Sequence, residues 1–460
     1  MLFPRLAGKT FGWHTAVVAV AMFCATFLLP LATLRAELGE AEKWDLKFGF
    51  IKLTDMVPLA VAYERGYFED EGLYVTLEAQ ANWKVLYDRV VSGELDGAHM
   101  LAPMPLGAAT GITGNVEIIT PFTLSYNGAA ITVANSVWAE MKKHLPSAGG
   151  KPVHPVSAAA LKPVLETYQA GGRAFNLGMT FPVGTHNYLL RYWLADGGIH
   201  PGFYTAEDSA GTKDAAARLS VVPPPQMVPT MEAGTTVGYC VGEPWNQQAV
   251  IRGLGVPVVT SENIWPDGAD KVFGISKDFA EKYPNTTVRA VKALIRASHW
   301  LDENDNANRP QAVKMISRPL YVGADEKVIA NSMTGTFEFE KGDTRPIPDF
   351  NKFFRGQYGA PYYSDAIWWL TQMRRWGHIA EHKEDGWYME MAEKAYRPDI
   401  FVAAARELIA EGVMNAGDFP DLDAATFIKP PQQGPLDGIV YDATHPNAYI
   451  DSFGIGLKSQ

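Results

Sequence analysis

The sequence predicts an α/β protein of two lobes, each a mixed, mainly parallel sheet flanked by helices, with a helical, aromatic-rich C-terminal extension. Three observations carry this expectation. Strand and helix patterns alternate from Asp45 to Gly107, two apolar segments (Ala129 to Val133 and Thr236 to Cys240) suit strands that cross between halves, and aromatic residues crowd the tail from Asp349 to Met414. At 460 residues, with 47% apolar and 20% charged positions, the chain can bury a large core and exceeds one ordinary domain.

In chain order, Leu46, Phe48 and Phe50 alternate with Asp45, Lys47 and Gly49, a period-2 strand, and the loop Lys52 to Asp55 leads into a helical pattern from Val57 to Arg65. Tyr74 to Glu78 repeats the strand, Trp83 stands in the following loop, Val85 to Ser92 is helical, and Ala98 to Leu101 is a short buried strand. Such units converge their strand-end loops on one rim, where open α/β sheets bind ligands, making Thr54, Asp55 and Trp83 the first rim candidates. Ser125 to Gly128 forms a turn-like cluster, and the Pro, Gly and Ser content of Pro146 to Pro155 marks a surface connection. The second half follows with a helix from Ala158 to Ala170, a strand from Phe175 to Met179, the loop Thr180 to Thr185, and a helix from His186 to Ala195. After Pro223 to Pro225 come a short helix from Met227 to Ala233, the crossing strand ending at Cys240, and a helix opened by Gly242-Glu243-Pro244-Trp245. Strands at Gly255 to Thr260 and Lys271 to Ile275 and a long helix from Thr287 to Asp302 complete the second half. The expected division is lobe I from 45–133 and 241–460, including the extension, and lobe II from 134–240. Packing of the extension onto a lobe is favoured for the tail aromatics over a ligand-stacking surface.

The formal charge of −11, with 40 Lys and Arg against 51 Asp and Glu, disfavours nucleic acid and acidic lipid surfaces as partners. Two cysteines, Cys24 and Cys240, supply neither a disulfide framework nor a metal cluster. Arg5 and Lys9 before the uncharged run Ala16 to Leu34, with Ala36 at a plausible cleavage point, form an export signal over 1–36, a retained membrane anchor being the alternative.

Phosphate-loop, HExxH, CxxC and GxSxG patterns are all missing from the sequence. The strongest local chemistry is Thr180 to His186, where a Gly-containing loop at a helix start offers backbone N–H groups, threonine hydroxyls and an imidazole to one small anion. Trp83 adds an indole N–H that only donates, and Lys271 adds a cation before an apolar strand. The bland readings are a packed core tryptophan, a histidine packed under its loop and a solvated strand-end lysine. For Glu243, capping of the Trp245 helix is favoured over a ligand contact. Asp55 is expected to cap the helix that begins at Val57, since a carboxylate at the rim would repel an anion.

The segments LAPMPLG (Leu101 to Gly107), HNYLLRYWL (His186 to Leu194) and GEPWN (Gly242 to Asn246) together resemble the nitrate-binding and bicarbonate-binding solute receptors of bacterial ABC importers. The resemblance runs from about Asp45 to about Ile400 and implies a periplasmic binding protein fold of type II-like form, with the anion held between lobes. It implies contacts from Trp83, His186 and Lys271, with Thr185, Gly184, Pro225 and Gly242 close by. Many relatives carry an amide side chain where Ala129 stands, and Asn127 is the substitute contact. Bicarbonate receptors have an acidic residue linked to calcium where this chain has Lys271, so the resemblance favours nitrate and nitrite, with no metal and no cofactor. It implies an exported periplasmic monomer that passes its ligand to a membrane permease and the permease's ATPase. The alternatives are a bicarbonate receptor and a cytosolic nitrate sensor that controls an antiterminator, against which the hydrophobic N-terminus stands. An enzyme of this fold would need a dense His and Cys cluster that the sequence does not show.

Overall fold

The computed structural model describes Met1, 38–355 and 358–458. The expected export signal over 1–36 falls, beyond Met1, outside the described residues; among them, no helix is long and apolar enough to cross a membrane. Residues Glu40–Gln460 form one compact unit whose described residues contain two large sheets, of six and five strands, and three two-stranded ribbons.

The strands are β1 (Asp45–Phe50), β2 (Tyr74–Ala79), β3 (Gly97–Leu101), β4 (Ile118–Asn127), β5 (Ala129–Ala134), β6 (Asn176–Met179), β7 (Arg218–Val221), β8 (Gly238–Gly242), β9 (Gly255–Thr260), β10 (Ala269–Ser276) and β11 (Asn351–Lys352). The first sheet has the order β11-β4-β10-β3-β1-β2 and the second β9-β5-β8-β6-β7. Parallel pairing joins β1 to β2 and β3, and β6 to β7 and β8. β4, β5, β9 and β10 pair antiparallel to their partners. Both sheets are therefore mixed, with less parallel pairing than the alternation of elements suggested.

Sheet membership also corrects the expected lobe boundaries. β5 and β9 belong to the second sheet, so lobe II runs from Ala129 to Thr260 and not from 134–240. The chain switches sheets at Asn127 and Gly128, both in the left-handed region at φ 62° and 84°. A residue pair that leaves the extended region there ends β4 and redirects the strand into the other sheet. The turn-like cluster Ser125 to Gly128 read from the sequence falls on this switch.

Four helices carry the site and its frame: α1 (Val57–Glu64), α2 (Trp83–Val91), α3 (Thr185–Asp196) and α4 (Trp245–Ile251). The tail aromatics are core. Trp368 and Trp369 are buried with ring centroids 4.6 Å apart, and Trp265 stacks on Trp368 at 4.9 Å. Each such ring brings a large apolar area out of water. The extension does not rest on one lobe, however. Trp369 Nε1 donates to Ala269 O at 3.1 Å at the start of β10 and Tyr396 Oη to Ala102 O at 3.1 Å just after β3. In lobe II, Tyr188 on α3 hydrogen-bonds His378 Nδ1 at 2.9 Å and Tyr192 donates to Asp437 at 2.6 Å. The extension braces both rims of the cleft.

Candidate functional site

The first lobe's rim is built around a buried ion-pair network. β1 runs into a single turn of 3-10 helix, Thr54–Met56, that places Asp55 over the ends of β3 and β10. Asp55 Oδ1 lies 2.8 Å from His99 Nε2, and Oδ2 lies 2.9 Å from Lys271 Nζ. His99 accepts the Ile51 N–H on Nδ1 at 3.4 Å, which turns Nε2 toward Asp55. Lys271 Nζ is also 2.5 Å from Asp270 Oδ2, and all four side chains are buried.

Burial pushes the Asp55 carboxyl up, but Lys271 and His99 outweigh it and bring its pKa down to about 2. Burial disfavours the Lys271 ammonium, yet Asp270 and Asp55 together hold its pKa above the ordinary lysine value. Asp270 moves up, because burial and the neighbouring Asp55 charge exceed the pull of Lys271.

Asp55 therefore does not cap a helix. Leu53 and Met56 occupy the two N-cap positions there, and neither makes a side-chain cap bond. A lysine and a histidine across the sheet hold both carboxylate oxygens more strongly than turn N–H groups would. Asp270 was missed because it precedes Lys271 in a strand, and simple alternation puts neighbours on opposite faces. The ladder to β4 shifts register there, pairing Ala269 with Tyr126 and Lys271 with Ser125, which leaves Asp270 as the extra residue of a bulge. Bulges re-aim side chains, and this one turns Asp270 onto Lys271.

The second lobe's rim is neutral. Gly184 is the extended N-cap of α3, and a Cβ there would come 2.7 Å from Leu101 Cδ1 and 2.9 Å from the Phe181 carbonyl oxygen, so glycine fits this turn against lobe I without displacing either. His186, in the first turn of α3, is buried with Nδ1 2.9 Å from Thr180 Oγ1 and 3.4 Å from Thr185 Oγ1. Burial, reinforced by Lys271, pushes its pKa far below the ordinary histidine value, so the ring is neutral at pH 7. Nε2 is buried and has no hydrogen-bond partner among the described residues, and it would carry the ring proton where a threonine hydroxyl donates to Nδ1. The Thr185 hydroxyl also lies against the Asp270 carboxylate, lowering its pKa.

Trp83 is the first residue of α2, whose N-cap Asn82 accepts the Val85 N–H at 2.9 Å; the helix starts two residues earlier than the sequence suggested. That cap takes Trp83 out of the loop and turns its indole against His99, with ring centroids 5.3 Å apart. Among the described residues its buried Nε1 has no hydrogen-bond partner, nor have the hydroxyls of Thr54 and Ser125. Ser125 is paired with Lys271 across the β4–β10 ladder and so shares its face.

Contacts thus link Trp83, His99, Asp55, Lys271, Asp270, Thr185 and His186 across the two lobes. Gly242, at the end of β8, belongs with them: a Cβ there would lie 3.0 Å from Asp55 Oδ2. Two further sequence candidates behave differently. Asn127 is committed to the backbone, donating to Asp349 O and accepting from the Asp267 N–H, each at 3.0 Å. Both ends of its amide are used at the sheet switch, so it does not take the role of the amide that Ala129 lacks. Pro225 lies half-buried in the turn Pro224–Gln226, and among the described residues no hydrogen bond joins it to the cluster. Glu243 caps α4 as expected, accepting the Gln247 N–H at 3.1 Å, while burial against that bond raises its carboxyl pKa to about 8. Its carbonyl accepts the Thr54 N–H at 2.8 Å, and Trp245 Nε1 donates to Lys52 O at 3.1 Å, so two bonds hold the lobes together beside the site.

Two α/β lobes closed on a shared, buried polar cluster define the class of two-lobed solute-binding proteins with the periplasmic binding protein fold. The NMT1-like family model matches residues 39–317, and the chain belongs to this family. It is 31% identical over 429 residues to the nitrate/nitrite binding protein NrtA of Nostoc sp. PCC 7120, covering 91% of this chain and 88% of that protein. It is 34% identical over 420 residues to the nitrate import ATP-binding protein NrtC of Synechocystis sp. PCC 6803, covering 90% of this chain but only 56% of that longer protein. Among solved structures, the periplasmic nitrate-binding protein NrtA from Synechocystis PCC 6803 superposes with a TM-score of 0.78 at 28% identity, over 91% of this chain and all of that one.

Proposed function

We propose that this chain is the substrate receptor of an ABC importer, holding nitrate and nitrite between its lobes and presenting them to a membrane permease and its ATPase. The observation that carries this reading is the pair of buried ring nitrogens without partners among the described residues, the Trp83 indole N–H from lobe I and His186 Nε2 from lobe II, beside the Lys271 cation. Nitrate accepts hydrogen bonds and donates none, which suits donor-only groups and a fixed cation. Similarity to the NrtA proteins supports the same ligand. Trp83, His186, Lys271 and Thr185 are the proposed contacts, with Gly184 and Gly242 admitting the close approach of the lobes. Binding favours the closed form, because only closure brings both lobes to one anion, and the permease distinguishes loaded from empty receptor. No covalent step is assigned. This role places the protein in the periplasm after export.

Calorimetric titration of the purified protein with nitrate, nitrite and bicarbonate, each with and without calcium, tests the reading. One-to-one nitrate binding that calcium does not alter is expected. Bicarbonate binding that requires calcium, with no response to nitrate, would overturn it.

A further inference from the structure

The first lobe's rim opposes one lysine with two carboxylates. Lys271 lies between Asp55 and Asp270, and Asp55 also takes a proton donor from His99. From lobe II the facing groups are His186 and Thr185 on α3, Cys240 on β8 and Glu243 just beyond it. Burial keeps His186 and the Cys240 thiol uncharged and Glu243 protonated below about pH 8, and His99 Nδ1, as the acceptor of the Ile51 N–H at 3.4 Å, carries no proton of its own. With both aspartates ionised, the cluster therefore carries one net negative charge before any anion enters. A second negative charge in the same buried volume is strongly opposed, since low polarity magnifies like-charge repulsion.

A proton taken up on binding has one suitable place. Both Asp55 oxygens are occupied, by His99 and Lys271. Asp270 has Oδ2 on Lys271, but its Oδ1 is buried and makes no aligned hydrogen bond, although the Thr185 hydroxyl is nearby. We propose that Asp270 is a specificity-determining residue that takes up one proton when nitrate binds, turning its free oxygen from an acceptor facing the anion into a donor to it. For an anion that carries its own O–H group, the ionised Asp270 is instead the matching acceptor, and no proton is required. The bulge in β10 is what delivers this group to the cleft.

This inference rests on the nitrate reading, and the test separates the two. Nitrate is titrated calorimetrically into the intact protein at several pH values between about 6 and 8, in buffers of different ionisation enthalpy, so that proton uptake appears as a buffer-dependent heat. The expected result is about one proton bound per nitrate, with affinity falling about tenfold per pH unit where Asp270 is ionised in the free protein. Asp270→Asn, whose amide donates without titrating, is expected to bind nitrate with no proton uptake and a flat pH profile. Nitrate binding without proton exchange in the native protein would overturn the role of Asp270 while leaving the nitrate reading intact. Uptake that persists in Asp270→Asn would place the proton elsewhere and overturn it too. No nitrate binding at any pH would overturn both.

Discussion

The two rims of the cleft are built from different materials. Lobe I brings charge that is already matched, with Lys271 held by Asp55 and Asp270 and Asp55 held by His99. Lobe II brings uncharged, directional groups: His186 kept neutral, threonine hydroxyls, two glycines at close approach and a protonated Glu243. The contrast teaches a division of labour. The charged rim is folded around itself and would hold its shape without a partner lobe, whereas the neutral rim gains its purpose when the lobes meet. Breaking the ion-pair network of lobe I should therefore damage the fold and binding together, while removing an anion donor from lobe II should damage binding more than stability.

The largest effect is expected at Lys271. Lys271→Met leaves Asp55 and Asp270 buried without their cation, a change that costs about 3–5 kcal/mol of stability, and nitrate binding is lost with it. Urea unfolding would register this as a lower midpoint, and unchanged stability would show that the network is not the frame of the rim.

Next is the pH dependence that Glu243 imposes from the neutral side. Its folded pKa of about 8 lies above the ordinary 4.5, so between those values the folded protein holds a proton that the unfolded chain has released. Stability therefore falls as pH rises through that window, by on the order of a few kcal/mol. Glu243→Gln should flatten the decline, raising the urea midpoint at pH 8 while leaving that at pH 4.5 little changed. Asp55, depressed to about 2, acts oppositely: its contribution is present above the ordinary 3.8 and is lost as pH falls through about 2.

At His186 the two rims should come apart most clearly. His186→Ala removes one donor to the anion and is expected to weaken nitrate binding by about 1.5–3 kcal/mol, roughly ten- to a hundredfold, with a smaller change in stability than Lys271→Met. Equal losses of stability in both variants would erase the distinction between the rims. The smallest effect is expected from Trp83→Phe, which keeps the aromatic bulk against His99 and deletes only the indole N–H, lowering affinity by about tenfold in the same titration.

Much of this was legible in the chain. Period-2 and helical patterns located the strands and helices around the cleft, and Trp83, His186 and Lys271 do join one cluster. What stayed hidden depended on geometry that periodicity does not encode. Asp270 entered through a bulge, Asp55, a rim candidate read as a helix cap, through ion pairs from its 3-10 turn to β3 and β10, and His99 through its position in a strand that otherwise looks like apolar core. A histidine in so apolar a segment, Gly97–Leu101, was the available hint, because a buried polar side chain needs a partner. Asn127 misled for a related reason: a left-handed residue at a sheet switch spends its side chain on the backbone around it. The extension, read as packing on one lobe, braces both through Trp369, Tyr396, Tyr188 and Tyr192, so the cleft opens only as far as those bonds allow.

The central claim, that two lobes with complementary rims share one anion, is tested most directly by a crystal structure of the protein grown with nitrate. The account predicts a single nitrate between the lobes, with oxygens within hydrogen-bonding distance of Trp83 Nε1 and His186 Nε2 and beside Lys271 Nζ. A nitrate bound outside this cluster, or density there only for an anion held through calcium, would contradict it.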